Sequence, residues 1–132
     1  MAGETNLLAL IKTMMPELND GDYVFCTLKN KEKIKDENIL CSFHEKEGIT
    51  IITRKEIADS LKLSYSFVAA WITLTVHSSL DAVGLTATFS RALADENISC
   101  NVIAAYYHDH IFVAKADALK AMELLRKLSA SF

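Results

Sequence analysis

Proline occurs once in the 132 residues and glycine four times, so no flexible interdomain linker is visible. No apolar run approaches the roughly 18–20 residues that a membrane-spanning helix needs. Positive charge is not in excess: 14 basic residues stand against 17 acidic ones, a net charge of −3. That balance removes the electrostatic footprint expected of a protein that binds nucleic acid or an anionic membrane. Cys26, Cys41 and Cys100 are odd in number and widely spaced, which suits buried thiols in a reducing cytosol. The opening MAGETNLLAL carries no positive charge ahead of a long apolar core, and a signal peptide is not expected. No GxSxG, P-loop, CxxC, or GxGxxG after a strand is present. The composition is 51% hydrophobic and 23% charged, normal for a folded chain. The expectation is a cytoplasmic globular protein, either one domain or two very small lobes sharing a core.

Read in order, residues 4–15 predict a helix with Leu7, Leu8, Ile11 and Met14 or Met15 inward and Pro16 as its stop. A turn at Asn19-Asp20-Gly21 leads to a strand over 22–28. The run KNKEKIKDEN at 29–38 mixes charges of both signs and reads as a solvated loop. A hairpin over 39–53 follows, and Thr53 with Glu56 matches a capping box for a helix to about Leu63. In the second half, a strand at 66–77 precedes a helix at 82–97 with Ala82, Leu85, Phe89 and Leu93 on one face. Strands at 99–107 and 110–115, with a tight turn at His108-Asp109, lead to a final helix at 118–130. Asp117 is its expected cap, and Leu119, Met122 and Leu125 its buried face.

The two halves share an order. Each has a strand, a hairpin and an immediate helix, displaced by about 61 residues; placing Gly48 over Asp109 puts Ile51-Ile52 over Phe112-Val113. The chain therefore reads as two β-x-β-β-α units, 1–64 and 65–132. The first has lost its internal helix and carries the N-terminal helix, which is expected to cover the vacant space. The order predicts an α+β ferredoxin-like sandwich with antiparallel sheets covered by helices on one face. Such a fold needs a fourth strand in the second unit, and strand 22–28 could fill that slot.

The stretch from Trp71 to Ala87 organises the rest. Ile72, Leu74 and Val76 alternate with Thr73, Thr75 and His77, then His77-Ser78-Ser79 forms a polar elbow that runs into a helix. A strand turning directly into a helix N-terminus aims unpaired N–H groups at one point, which outlines a small-anion site. Gly84 would let a ligand or a strand approach the helix backbone, and the Ser78 and Ser79 hydroxyls can donate to a carboxylate. Asp81 either caps the helix or accepts from an ammonium group. The β-α-β-β-α order, SSLDAVGLTATF at 78–89 and ISCNVIAAYYHDHIFV at 98–113 resemble an ACT domain. The whole chain is similar to the small bacterial proteins built from a tandem ACT pair. ACT domains are regulatory modules that bind amino acids or similar metabolites between two units. The resemblance implies a ligand carboxylate at the elbow, Ser78, Ser79, Leu80, Asp81, Ala82, Val83, Gly84 and Leu85, with main-chain partners from Asn101, Val102 and Ile103.

The function expected is a non-enzymatic sensor for an amino acid or related metabolite at the interface between the units, with no cofactor. A homodimer or a partner enzyme would be its protein partner, with no nucleic acid and no membrane. One alternative is an interaction module that pairs through sheet edges. A less favoured one is a small metal-dependent enzyme using His108, Asp109 and His110, with His77 or His44 completing the site; adjacent strand residues point to opposite faces, which argues against convergence on one ion. Trp71, Tyr106 and Tyr107 read as core or interface aromatics, and His77 as facing away from the elbow.

Overall fold

The computed structural model describes residue 3 and residues 5–131. The expected helix start at Glu4 lies outside them. Contacts divide the chain into two units, Met1–Asn19 with Ala70–Phe132, and Asp20–Ala69.

The unit Asp20–Ala69 contains β2 (Tyr23–Leu28), β3 (Cys41–His44), β4 (Ile49–Arg54), α2 (Lys55–Ser60) and the start of β5 (Val68–Leu74). Its antiparallel sheet runs β3-β4-β2-β5. Val24, Cys26 and Leu28 alternate onto one buried face with Ile51 and Ala58. Segment 29–38 forms no helix, only a 3-10 turn at Asp36–Asn38. Its one apolar residue, Ile34, is buried and cannot alone make the stripe that holds a helix to a sheet. The capping box at Thr53 does not form. Thr53 is the buried penultimate residue of β4, and its Oγ1 donates to Asn38 O at 2.6 Å, tying the loop to the sheet. The helix also ends earlier than expected. Lys62 takes a left-handed conformation (φ 57), while Lys62 N donates to Asp59 O and Leu63 N to Ala58 O, a Schellman termination.

The second unit is built from α1 (Leu7–Thr13), β1 (Pro16–Leu18), the rest of β5, α3 (Leu85–Ala94), β6 (Asn101–Ala104), β7 (Asp109–Ala114) and α4 (Ala118–Ala130). β1 pairs antiparallel with β5, Pro16↔Leu74 through Leu18↔Ile72, while β7 flanks β5 and β6 forms the outer edge. The slot expected for strand 22–28 is thus held by β1; Tyr23 and Val24 reach only Ala69 and Val68. Counting strands by role, both units take the order fourth-first-third-second of a ferredoxin-like sheet, and β5 changes role along its length. It is the last strand of one unit at 68–69 and the first of the other at 72–74.

α1 does not cover the vacant place of the first half. Asn6 Oδ1 accepts from Ala9 N to cap it. Leu10, Ile11 and Met14 then enter the core formed by Ile72, Leu74, Phe89, Ile111 and Leu125. Ser129 Oγ also donates to Lys12 O at 3.0 Å. Only Met14 and Met15 separate α1 from β1, so the pairing of β1 with β5 fixes where the helix lies. The inward face is displaced accordingly: Leu7, Leu8 and Met15 are exposed. On α3, Leu85, Phe89 and Leu93 are buried as expected. On α4 the buried set is Ala118, Ala121, Met122 and Leu125, whereas Leu119 points to solvent and Asp117 makes no side-chain cap.

Candidate functional site

β5 ends at Leu74, and the backbone stays without a helix until Leu85. Thr75 is held by two bonds to Met15 O, from its N at 2.9 Å and its Oγ1 at 2.7 Å. The elbow then folds on itself. Ser78 N donates to Val76 O, Ala82 N to Ser79 O, and Asp81 N to Ser79 Oγ at 3.2 Å. Gly84 is the N-cap of α3, in a left-handed conformation (φ 101, ψ −18), with no side chain closing the first turn. Asp81 stands three residues earlier and is exposed, so it does not cap the helix.

Two of these features lie against the N-terminal segment. A Cβ on Gly84 would sit 2.9 Å from Leu7 Cδ2, so the space left by the missing side chain is taken by Leu7. A Cβ on Gly3 would fall 2.6 Å from His77 O and 2.7 Å from Ser79 N. Gly3 therefore lies against the backbone of His77–Ser79, a neighbour that sequence reading missed although a glycine is a signal for such an approach. Of the elbow residues, Leu80 and Val83 are exposed at 68% and 83%, Leu85 is part of the core, and Ala82 packs beside that core. Asn101, Val102 and Ile103 lie on the edge strand β6. Asn101 Nδ2 donates to Phe112 O at 3.3 Å, and Val102 leans on the core.

The β6–β7 hairpin approaches the elbow from another side. Its turn is Tyr106-Tyr107, closed by Ala105 N donating to His108 O, and not His108-Asp109 as expected. Tyr106 and Tyr107 are exposed, not core aromatics, and their rings lie 6.2 and 5.6 Å from the His77 ring. His108 Nδ1 is 3.4 Å from Val76 O. Asp109 is the first residue of β7 and alternates with Ile111 and Val113, which face the helix-covered core. It is only 6% exposed as a residue, and none of its side-chain oxygens is buried without a partner. Burial pushes its pKa up, opposed by the charge of His108. An acidic residue on an apolar alternating face is a signal that the sequence offered.

A stability effect follows from that shift. A carboxyl whose folded pKa is raised contributes stability while protonated, and that contribution is lost as pH rises through the ordinary carboxylate range to the folded pKa. Asp109→Asn is therefore expected to melt above the wild type at pH 7. The gain should shrink to nothing as the pH is lowered below the usual aspartate range, as thermal melts across that interval would show.

On the other face, Asn19 Nδ2 donates to Thr73 Oγ1 at 2.9 Å, and Thr73 Oγ1 lies 3.1 Å from His110 Nδ1. Trp71 Nε1 donates to the same nitrogen at 3.0 Å. An indole N–H can only donate, so His110 Nδ1 accepts and its proton sits on Nε2. Burial, then His108, holds the His110 pKa below the usual range. Among the described residues, no three His, Cys, Asp or Glu side chains group as metal ligands. Burial raises the Cys100 pKa to about 11 and that of Cys26 as well, so both thiols are protonated near neutrality. No helix among the described residues is long and apolar enough to cross a membrane.

Comparison with known proteins places this geometry. Two ACT domain models match, over residues 2–70 and 66–127. A Vibrio cholerae protein of unknown function, described as a possible transport protein, is 45% identical, with a TM-score of 0.84 over 93% of this chain and 95% of that one. An Agrobacterium tumefaciens protein is 16% identical, with a TM-score of 0.67 over 88% and 89% of the two chains. The regulatory subunit of aspartate kinase from Thermus thermophilus shares the fold at 7% identity, with a TM-score of 0.62 over 88% and 97%. No curated protein matches. With β5 serving as a strand of both units and two family matches covering nearly the whole chain, this protein belongs to the ACT domain family as a tandem member, in the class of regulatory small-molecule-binding modules.

Proposed function

We propose that the chain is a non-enzymatic sensor that binds an amino acid or a related small metabolite at the elbow Ser78–Leu85. The reading rests on one arrangement: the ten-residue helix α3 starts without a side-chain cap, at the end of an elbow whose first residues, Val76 and His77, lie against the β6–β7 turn. An uncapped helix start favours a carboxylate, and the Ser78 and Ser79 hydroxyls add donors. Asp109, the first residue of β7, would supply the opposite charge. Asp81, free of a capping role, is a second acceptor for an ammonium group at the rim. The edge strand at Asn101–Ile103 offers main-chain partners. The family and the likeness to aspartate kinase regulatory subunits support an amino acid as the ligand class. The protonated thiols give no support to a thiolate enzyme.

A thermal-shift screen against the amino acids tests this. A ligand at 100 times its dissociation constant should stabilise by about 2.7 kcal/mol, several degrees in melting temperature. A flat response to the whole panel would count against the reading. An interaction module is favoured by a different observation, the outer edge of β6, unpaired among the described residues, together with exposed Leu80, Val83, Tyr106 and Tyr107. Sedimentation that finds only monomer at high concentration would remove pairing with a second copy.

A further inference from the structure

The unit Asp20–Ala69 contains a cleft of about 250 Å³ that includes no elbow residue. Tyr23, Asn38, Ile39, Leu40, Arg54 and Ile57 line it, with the exposed Glu37 also at its wall. The cleft follows from two local facts. Segment 29–38 makes only a 3-10 turn, and that turn is anchored to β4 by Thr53 Oγ1 donating to Asn38 O and by Leu40 N donating to Ile52 O.

The cation in this cleft lies over an aromatic ring. Tyr23 and Arg54 are directly opposed across the β2–β4 ladder, and the guanidinium carbon lies 5.5 Å from the Tyr23 ring centroid. On another side the guanidinium closes over Gly21, where a Cβ would fall 2.5 Å from Arg54 Nη1. Gly21 has φ 100, a left-handed backbone that favours glycine. Among the described residues, Glu56 at 4.0 Å is the one carboxylate within ion-pair range of Arg54, and both side chains are largely solvated. A planar fork with donors to spare, beside a wall of Ile39, Leu40 and Ile57, has the chemistry of a carboxylate site with room for a short branched alkyl chain.

We propose that this cleft is a second ligand site, taking small aliphatic carboxylates through Arg54. The site is separate from the elbow and stands whether or not the elbow binds an amino acid. The probe is 4-methylpentanoate, added to the 15N-labelled full chain with amide resonances followed by NMR. Saturable shifts are expected at Ile39, Leu40, Arg54 and Ile57, and none with 4-methylpentan-1-ol, which has the same alkyl chain and no charge. Arg54→Lys keeps the charge and loses the fork, and should weaken binding about tenfold. Leu40→Trp fills the cleft from a half-exposed position and should abolish binding without lowering the melting temperature. Glu37→Gln removes a like charge and should tighten binding. No saturable shift at tens of millimolar probe would overturn the proposal, as would undiminished binding to Arg54→Lys. Weaker binding to Glu37→Gln would contradict the carboxylate assignment, because Glu37 would then be reading a cation.

Discussion

Gly84→Val should lower the melting temperature by roughly 10 °C, whether or not any ligand is present. Two costs add. At φ 101 a non-glycine residue loses on the order of 1–2 kcal/mol, and a β-branched one loses more. The new Cβ also starts 2.9 Å from Leu7 Cδ2, so the end of that partly exposed side chain must turn aside, at a cost of about 1 kcal/mol or less. Together these come to about 2–3 kcal/mol, and for a domain of this size each kcal/mol corresponds to roughly 3–5 °C. The two costs can be separated. Gly84→Ala carries the backbone cost with a smaller side chain, and Leu7→Ala in the Gly84→Val background should restore part of the loss. A double-mutant cycle with coupling near zero would mean that Leu7 does not occupy the space at Gly84. Because Leu7 fills that space, lost binding in Gly84→Val would not by itself locate a ligand.

The second large effect concerns α1. Leu10 is fully buried among Ile72, Leu74, Phe89 and Leu125, so Leu10→Ala should cost about 2–5 kcal/mol, the range for a leucine truncated in a tight core. Leu8, two residues away and half exposed, should tolerate alanine within about 0.5 kcal/mol. Chemical denaturation of the two variants reads the difference directly. Equal effects would mean that α1 presents the face expected from its sequence spacing, with Leu7 and Leu8 inward. A small cost for Leu10→Ala would remove α1 from the core of Ile72 and Phe89.

That contrast shows which features the sequence could carry. The β-hairpin orders, the missing helix at 29–38 and the buried face of α3 follow from local period and composition, and all are present in the structure. The ownership of α1 was not legible, because it is decided by the three-residue strand Pro16–Leu18 pairing with residues 72–74. Proline there reads as a helix stop, and the same stop also opens a strand. Thr53 and Asp81 both fit capping patterns, but tertiary partners decided otherwise. Thr53 donates to a loop carbonyl 15 residues away, and the start of α3 shifted to a glycine whose left-handed backbone sets the entry angle. In the candidate site the elbow itself was readable. Gly3 and Leu7 were not assigned to it, since folding brings them there from a distant segment.

The measurement that bears most directly on the elbow as a ligand site is an amide-resonance titration of the full chain with whichever amino acid gives the largest thermal shift. The expected result is saturable perturbation concentrated at Ser78–Leu85, with Asp109 and Asn101–Ile103 responding. Binding should be weakened by Asp109→Asn, while the analogue that keeps the carboxylate and lacks the ammonium group loses no affinity to that substitution. Perturbation that spares the elbow, or an Asp109→Asn variant that binds the amino acid as tightly as the wild type, would contradict the account.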